Sequence, residues 1–132
     1  MTSDQQVDSF PSVSMELLHE IHDAFNSRDA DAIAVFFADD ATFFMASGPD
    51  VNGRAIKGKS AIRKVLADRF LVIPDMSWDW MYGYTAGDRA VTVWRVTGNA
   101  DDGTVLDFQG CDLWEFRDGL VLNKDTYWKI VK

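Results

Sequence analysis

The residues best placed to do chemistry lie toward the C-terminus, and Asp112 is the central one. It stands in the run Phe108-Gln109-Gly110-Cys111-Asp112-Leu113-Trp114. In a strand, period-two alternation puts Phe108, Gly110, Asp112, Trp114 and Phe116 on one face. A carboxyl among such apolar neighbours is costly to ionise, so its pKa is expected to rise. The neutral acid can then donate a hydrogen bond to an oxyanion developing on a substrate. The competing reading is structural: an Asp bonded to a neighbouring strand or to a second subunit.

A second carboxyl, Asp125, follows in Asn123-Lys124-Asp125-Thr126-Tyr127-Trp128. A one-residue bulge would turn it inward, where it and Asp112 could divide acid and base roles. Without a bulge, Lys124, Thr126 and Trp128 face the pocket, and Asp125 and Tyr127 face away. The unbulged case is the default, because bulges are local exceptions. Asp112, Asp125, Tyr127 and Arg95 are the candidate catalytic residues. Trp94, Phe108, Trp114, Lys124, Thr126, Trp128 and Phe44 are the candidate lining of a substrate site. So aromatic a wall favours a flat apolar ligand such as a polycycle or a terpenoid.

Two other reactive types are set aside. His19 and His22 are three apart on one helix, but two ligands fall short of the four a structural zinc takes. They read as solvated or capping side chains. Cys111 alternates to the face opposite Asp112 with no adjacent histidine to activate it, and reads as a small buried residue. No metal and no cofactor is expected.

These residues need elements to position them. From Val13 the pattern is helical, with Leu17, Leu18, Ile21, Ala24 and Phe25 on one face. Asp29 caps a second helix through Ala30–Ala38, burying Ile33, Phe36 and Phe37. Ala41–Met45 reads as a short strand, and Ala46–Lys57, rich in Gly, Pro and Asn, as a loop. Gly58-Lys59-Ser60 opens a third helix with Ile62, Val65, Leu66 and Phe70 at helical spacing. Past Pro74 the chain reads as four strands, 76–84, 89–99, 105–116 and 120–131. Asp101-Asp102-Gly103 and Asp118-Gly119 form turns there. Helices followed by an antiparallel meander indicate an α+β domain.

The 132 residues fit one domain over 13–132, behind a polar flexible leader at 1–12. With 47% hydrophobic and 13% aromatic residues, the chain has material for a core and for a cavity or interface. A net charge of −8 with 13 scattered Lys and Arg excludes a basic stripe for nucleic acid and disfavours anionic membranes. No run approaches the roughly 20 apolar residues of a membrane span. A single cysteine and an N-terminus without signal-peptide character lead to the expectation of a cytoplasmic protein.

Several strings carry a family resemblance: Phe36-Phe37-Ala38-Asp39-Asp40-Ala41-Thr42, Gly58-Lys59-Ser60-Ala61-Ile62, Trp114-Glu115-Phe116-Arg117-Asp118-Gly119, and Tyr127-Trp128. With the element order, they resemble the nuclear transport factor 2-like superfamily over residues 14–131, in particular its SnoaL-like and ketosteroid isomerase-like group. The resemblance implies a cone-like fold: three N-terminal helices packed on a curved antiparallel sheet that encloses an apolar pocket, with homodimerisation through the sheet. Asp112 matches the protonated Asp of the isomerases. Their general base would fall near Met45 and their oxyanion-hole tyrosine near Ile21, so the usual delta-isomerase reaction is not expected. The epoxide hydrolases of the superfamily offer a match at Arg95, but their two acids fall at Thr97 and Thr126, which excludes that activity. The isomerase match turns Thr92, Trp94 and Val96 inward, whereas the hydrolase match turns Arg95 inward. Two functions follow from the resemblance. One is acid/base catalysis of isomerase, cyclase or dehydratase type on a small apolar carbonyl or hydroxyl compound. The other is non-catalytic ligand binding or protein interaction on the same scaffold.

Overall fold

A computed structural model describes residues 13–132; the leader expected over 1–12 lies outside the described residues. Helix α1 spans Met15–Asn26 and is capped by the Ser14 hydroxyl, which accepts from the Leu17 amide at 3.0 Å. Its Leu18, Ile21 and Phe25 are buried, as their spacing requires. Asp29 caps α2 by accepting from the amides of Asp31 and Ala32.

Helix α2 covers only Ala30–Ala34, not Ala30–Ala38. The aromatic pair that was expected to extend it starts a strand instead. Phe37 is wholly buried and pairs with Val121, and Phe36 accepts a backbone hydrogen bond from Val121. Strand β1 therefore runs Phe37–Asp50, far longer than Ala41–Met45. The Gly- and Pro-rich stretch after it is a hairpin and not a loop. Gly53, at φ 84°, turns the chain into β2 (Gly53–Lys57), which pairs antiparallel with β1. Its outer half is exposed on both faces, so no apolar alternation marks it in the sequence.

Helix α3 (Lys59–Val72) buries Ile62, Leu66 and Phe70. Strands β3 (Ser77–Ala86), β4 (Arg89–Asn99), β5 (Val105–Arg117) and β6 (Leu120–Trp128) follow as the expected meander. Residues Asp118 (φ 53°) and Gly119 (φ 80°) make the last turn. The six strands form one curved sheet in the order β2-β1-β6-β5-β4-β3. Its β1–β6 pairing is parallel, so the sheet is mixed and not purely antiparallel.

The helices cover the inner face of the sheet, and the core lies between them. A register shift between Trp80 and Tyr82 separates two kinds of side chain on β3. Before it, Trp78 and Trp80 pack against the helices; after it, Tyr82 and Tyr84 are exposed. Leu113 and Tyr127 are exposed as well. Among the described residues no helix is long and apolar enough to cross a membrane.

Candidate small-molecule site

Asp112 is buried on the inner face in the middle of β5, paired in register with Thr92 of β4 and Thr126 of β6. Its apolar flanks were anticipated; its polar partners were not. The Lys124 ammonium lies 2.8 Å from Oδ1, the Thr126 hydroxyl donates to the same oxygen, and the Trp94 indole N–H donates to Oδ2 at 3.0 Å. Lys124 also donates to Thr126 Oγ1 at 2.6 Å, which closes a three-residue ring of contacts. The carboxyl thus faces a buried ammonium and two hydrogen-bond donors, so the isolated group expected from its apolar strand is not what the fold builds.

Gly110 makes this cluster sterically possible. A Cβ there would come within 2.8 Å of the Trp94 ring and 2.5 Å of the Tyr127 carbonyl oxygen. Only glycine lets the indole lie across β5 and reach Asp112. Around the ammonium stand Phe43, Phe25 and Trp114, whose ring centres are 4.3, 5.3 and 5.6 Å away. Aromatic faces attract a cation and replace part of its lost hydration. Burial still pulls the Lys124 pKa below the ordinary lysine value, with Asp112 opposing that shift. Trp114 in turn donates to Thr92 Oγ1 at 2.9 Å, so the four buried polar side chains are all engaged.

Two cavities flank the cluster. The inner one, between α1 and the sheet, is lined by Ile21, His22, Trp94, Asp112 and Lys124 among others, and measures about 20 Å³. That is room for a water molecule and little more. The outer one measures about 450 Å³ and opens where Phe43, Met45, Arg69, Phe108, Thr126 and Trp128 meet the C-terminal segment. Thr126 joins the two, since it lines the outer cavity and bonds Asp112 behind it.

The other expected site residues divide by strand alternation. Phe108 and Trp128 stack at 5.5 Å and form a wall of the outer cavity. Trp94, Trp114, Lys124 and Thr126 surround Asp112 as described. Strand β6 stays in register with β5 past Asp125, so Asp125 does not turn inward; it pairs with Leu113 of β5 and Phe44 of β1. The tyrosyl oxygen of Tyr127 is 3.4 Å from the Asp125 carboxylate, and Tyr127 is exposed. Burial raises the Asp125 pKa. Arg95 is exposed as well, clasping Asp107 at 2.6 and 2.7 Å, while Thr92, Trp94 and Val96 are buried. Phe44 stands next to the buried Phe43, and it is Phe43 that lines the outer cavity. Arg95, Asp125, Tyr127 and Phe44 are therefore outside the cluster, because a strand offers alternate residues to opposite faces.

Two more residues reach the cavities: His22, expected from the sequence to be solvated or capping, and Arg69, which the sequence did not single out. His22 lines the inner cavity, and burial lowers its pKa. Its spacing from Leu18 and Phe25, four and three residues, places it on their helical face. Arg69 lines the outer cavity, three residues beyond the buried Leu66 and so on the apolar side of α3. Met45 and Ile21, the positions matched to the isomerase base and tyrosine, line the outer and the inner cavity respectively.

The family model for the SnoaL-like domain matches residues 18–123. The chain belongs to this family. Solved structures agree on its nuclear transport factor 2-like fold. A hypothetical protein with a ketosteroid isomerase-like fold from Catenulispora acidiphila, solved in complex with trimethylamine, superimposes with a TM-score of 0.76 at 18% identity over 89% of this chain and 88% of that one. Bal32a, from a soil-derived mobile gene cassette, gives 0.74 at 22% identity, with 86% of each chain covered. A SnoaL-like protein from Jannaschia sp., assigned provisionally as a polyketide cyclase, gives 0.74 at 18% identity over 86% of this chain and 83% of that one. At these identities the likeness carries the fold. No curated protein matches the sequence.

Proposed function

We propose that this SnoaL-like domain binds a small apolar carbonyl or hydroxyl compound in the 450 Å³ cavity, with the Asp112–Lys124–Thr126 cluster as the polar end of the site. One observation carries the reading: a buried ion pair stands directly behind the wall of a ligand-sized cavity. Such a pair is an expensive way to stabilise a core, since well-packed apolar residues of similar volume do as well or better. A buried lysine with a lowered pKa beside a cavity is a candidate for proton transfer. Thr126 would supply the route: the residue lines the cavity, and its Oγ1 accepts from the ammonium and donates to the carboxylate. Acid/base catalysis of isomerase, cyclase or dehydratase type would use that route, and the Jannaschia relative's provisional assignment as a cyclase supports it.

A second reading, binding without catalysis, has its own support. Every polar group of the cluster is already bonded within the protein, and the space touching Asp112 holds about one water.

A thermal-shift screen of apolar ketones, enones and alcohols tests the binding. A ligand at 100 times its dissociation constant adds about 2.7 kcal/mol of stability; if no compound raises the melting temperature, the proposal falls. Turnover of a hit that disappears in Thr126→Val while binding persists selects catalysis. Binding without turnover selects the second reading. Pairing of two copies through the exposed sheet face of Tyr82, Tyr84, Leu113 and Tyr127 belongs to the same proposal. Light scattering on these samples should then give twice 14.9 kDa, and a monomer mass would remove that part.

A further inference from the structure

Arg69, on the wall of the outer cavity, is a partly buried charge that the fold leaves without a counter-charge among the described residues. Arg63, Arg89, Arg95 and Arg117 each meet a carboxylate, those of Asp31, Glu115, Asp107 and Asp40. Arg28 donates to the carbonyls of Asn26 and Met76. Among the described residues Arg69 makes no ion pair and no hydrogen bond, although it is partly buried. Its guanidinium lies 5.9 Å from the centre of the Phe43 ring. Asp112 acts on it only through space, and that carboxylate is already held by Lys124, Thr126 and Trp94.

The surroundings sharpen the point. The chain carries 21 acidic and 13 basic residues, yet among the described residues the outer cavity is lined by two cations, Arg69 and Lys129, and by no Asp or Glu. The remaining wall is largely apolar, from Phe43, Phe108 and Trp128 to Ile130 and Val131. The indole N–H of Trp128 is a further donor without an acceptor. An apolar chamber whose charged groups are all positive, in an acidic protein, is complementary to an apolar anion. A place in the last turn of α3 would favour a cation through the helix dipole. That benefit does not require the cation to line a cavity, and it gives no preference among ligands.

We propose that the outer cavity takes an apolar organic monoanion, a ring or chain bearing a carboxylate, with its charged oxygens on the Arg69 guanidinium and its apolar body against Phe43, Phe108 and Trp128. This rests on the small-molecule reading above and narrows it to a charge class. A guanidinium meets a carboxylate with two parallel hydrogen bonds, which fixes the orientation of the ligand as well as its position. The end of the molecule nearest Thr126 would then be set by where Arg69 holds the anionic end.

Calorimetric titration of the full chain with three matched probes tests this: naphthalene-2-carboxylate, the neutral 2-naphthamide and the cationic 2-naphthylmethylammonium. The carboxylate should bind about tenfold or more tightly than the amide, as a hydrogen bond to a charged group implies, and the ammonium most weakly. In Arg69→Met the carboxylate should fall to the level of the amide while amide binding is retained. Arg69→Lys should keep part of the preference. Equal affinity of the wild type for carboxylate and amide, or a preference that survives Arg69→Met, overturns the anion assignment and leaves the small-molecule site standing. Binding of none of the three overturns both.

Discussion

The two cavities that flank the Asp112 cluster differ in how their polar groups are used. In the inner one, Asp112, Lys124, Thr126 and Trp94 satisfy one another, and aromatic rings close round the ammonium. In the outer one, Arg69 faces a space about twenty times larger, with no acidic partner among the described residues. A group whose hydrogen bonds are complete inside the protein adds to rigidity but presents little to a ligand. A group left unpaired keeps its interaction energy for whatever binds. The inner cluster ties β4, β5 and β6 together, whereas recognition in the proposed reading falls to the outer cavity, with Thr126 between the two.

That contrast can be broken most forcefully at Lys124. Lys124→Met strands a buried carboxylate and should cost about 3–5 kcal/mol. The double change Asp112→Leu with Lys124→Met should recover most of that loss. Urea denaturation reads both, and a double variant as unstable as the single one would show that the pair does more than neutralise itself.

Arg69→Met should behave in the opposite way. It removes a charge with no partner while keeping an apolar stem of similar length, so stability should stay within about 1 kcal/mol of wild type. A larger loss in the same denaturation experiment would mean that Arg69 supports the fold and does not wait for a ligand.

The smallest effect concerns His22, on the wall of the inner cavity. Burial lowers its pKa below 6.5, against opposing contributions from the Trp78 backbone and the charges of Asp23 and Asp112; His19 adds to the lowering. Between the lowered value and 6.5 the unfolded chain binds the proton and the folded one does not. Stability should therefore rise with pH across that window and level off above it. His22→Gln should flatten this part of the profile. An imidazole that titrates by NMR at or above 6.5 would mean the inner cavity is wetter than its 20 Å³ implies.

Much of the architecture was legible from local pattern. The Leu18-Ile21-Phe25 spacing, the Asp29 cap and the turns at Gly103 and Gly119 each act over a few residues. The β1–β2 hairpin was not legible, because its exposed outer half carries no alternation. The early end of α2 escaped as well: Phe36 and Phe37 suit a helix face and a strand equally, and pairing with a strand some eighty residues later decided between them.

For the site, the sequence by itself determined which side chains share a face only where the strand runs without a bulge. Unbulged alternation on β5 and β6 would put Asp112, Lys124, Thr126 and Trp128 together and Asp125 and Tyr127 away, and the register of the folded sheet chose that case over the bulged one. What each of them meets across the sheet was decided only by the tertiary structure. Lys124 reaches Asp112 because β5 and β6 pair in one particular register, and Trp94 does so because Gly110 clears its path; Arg69 comes to the outer cavity because α3 packs over Phe43. Faces are set by the local geometry of the backbone. Partners, and hence charge states, depend on contacts between segments far apart in the chain, which no local period encodes.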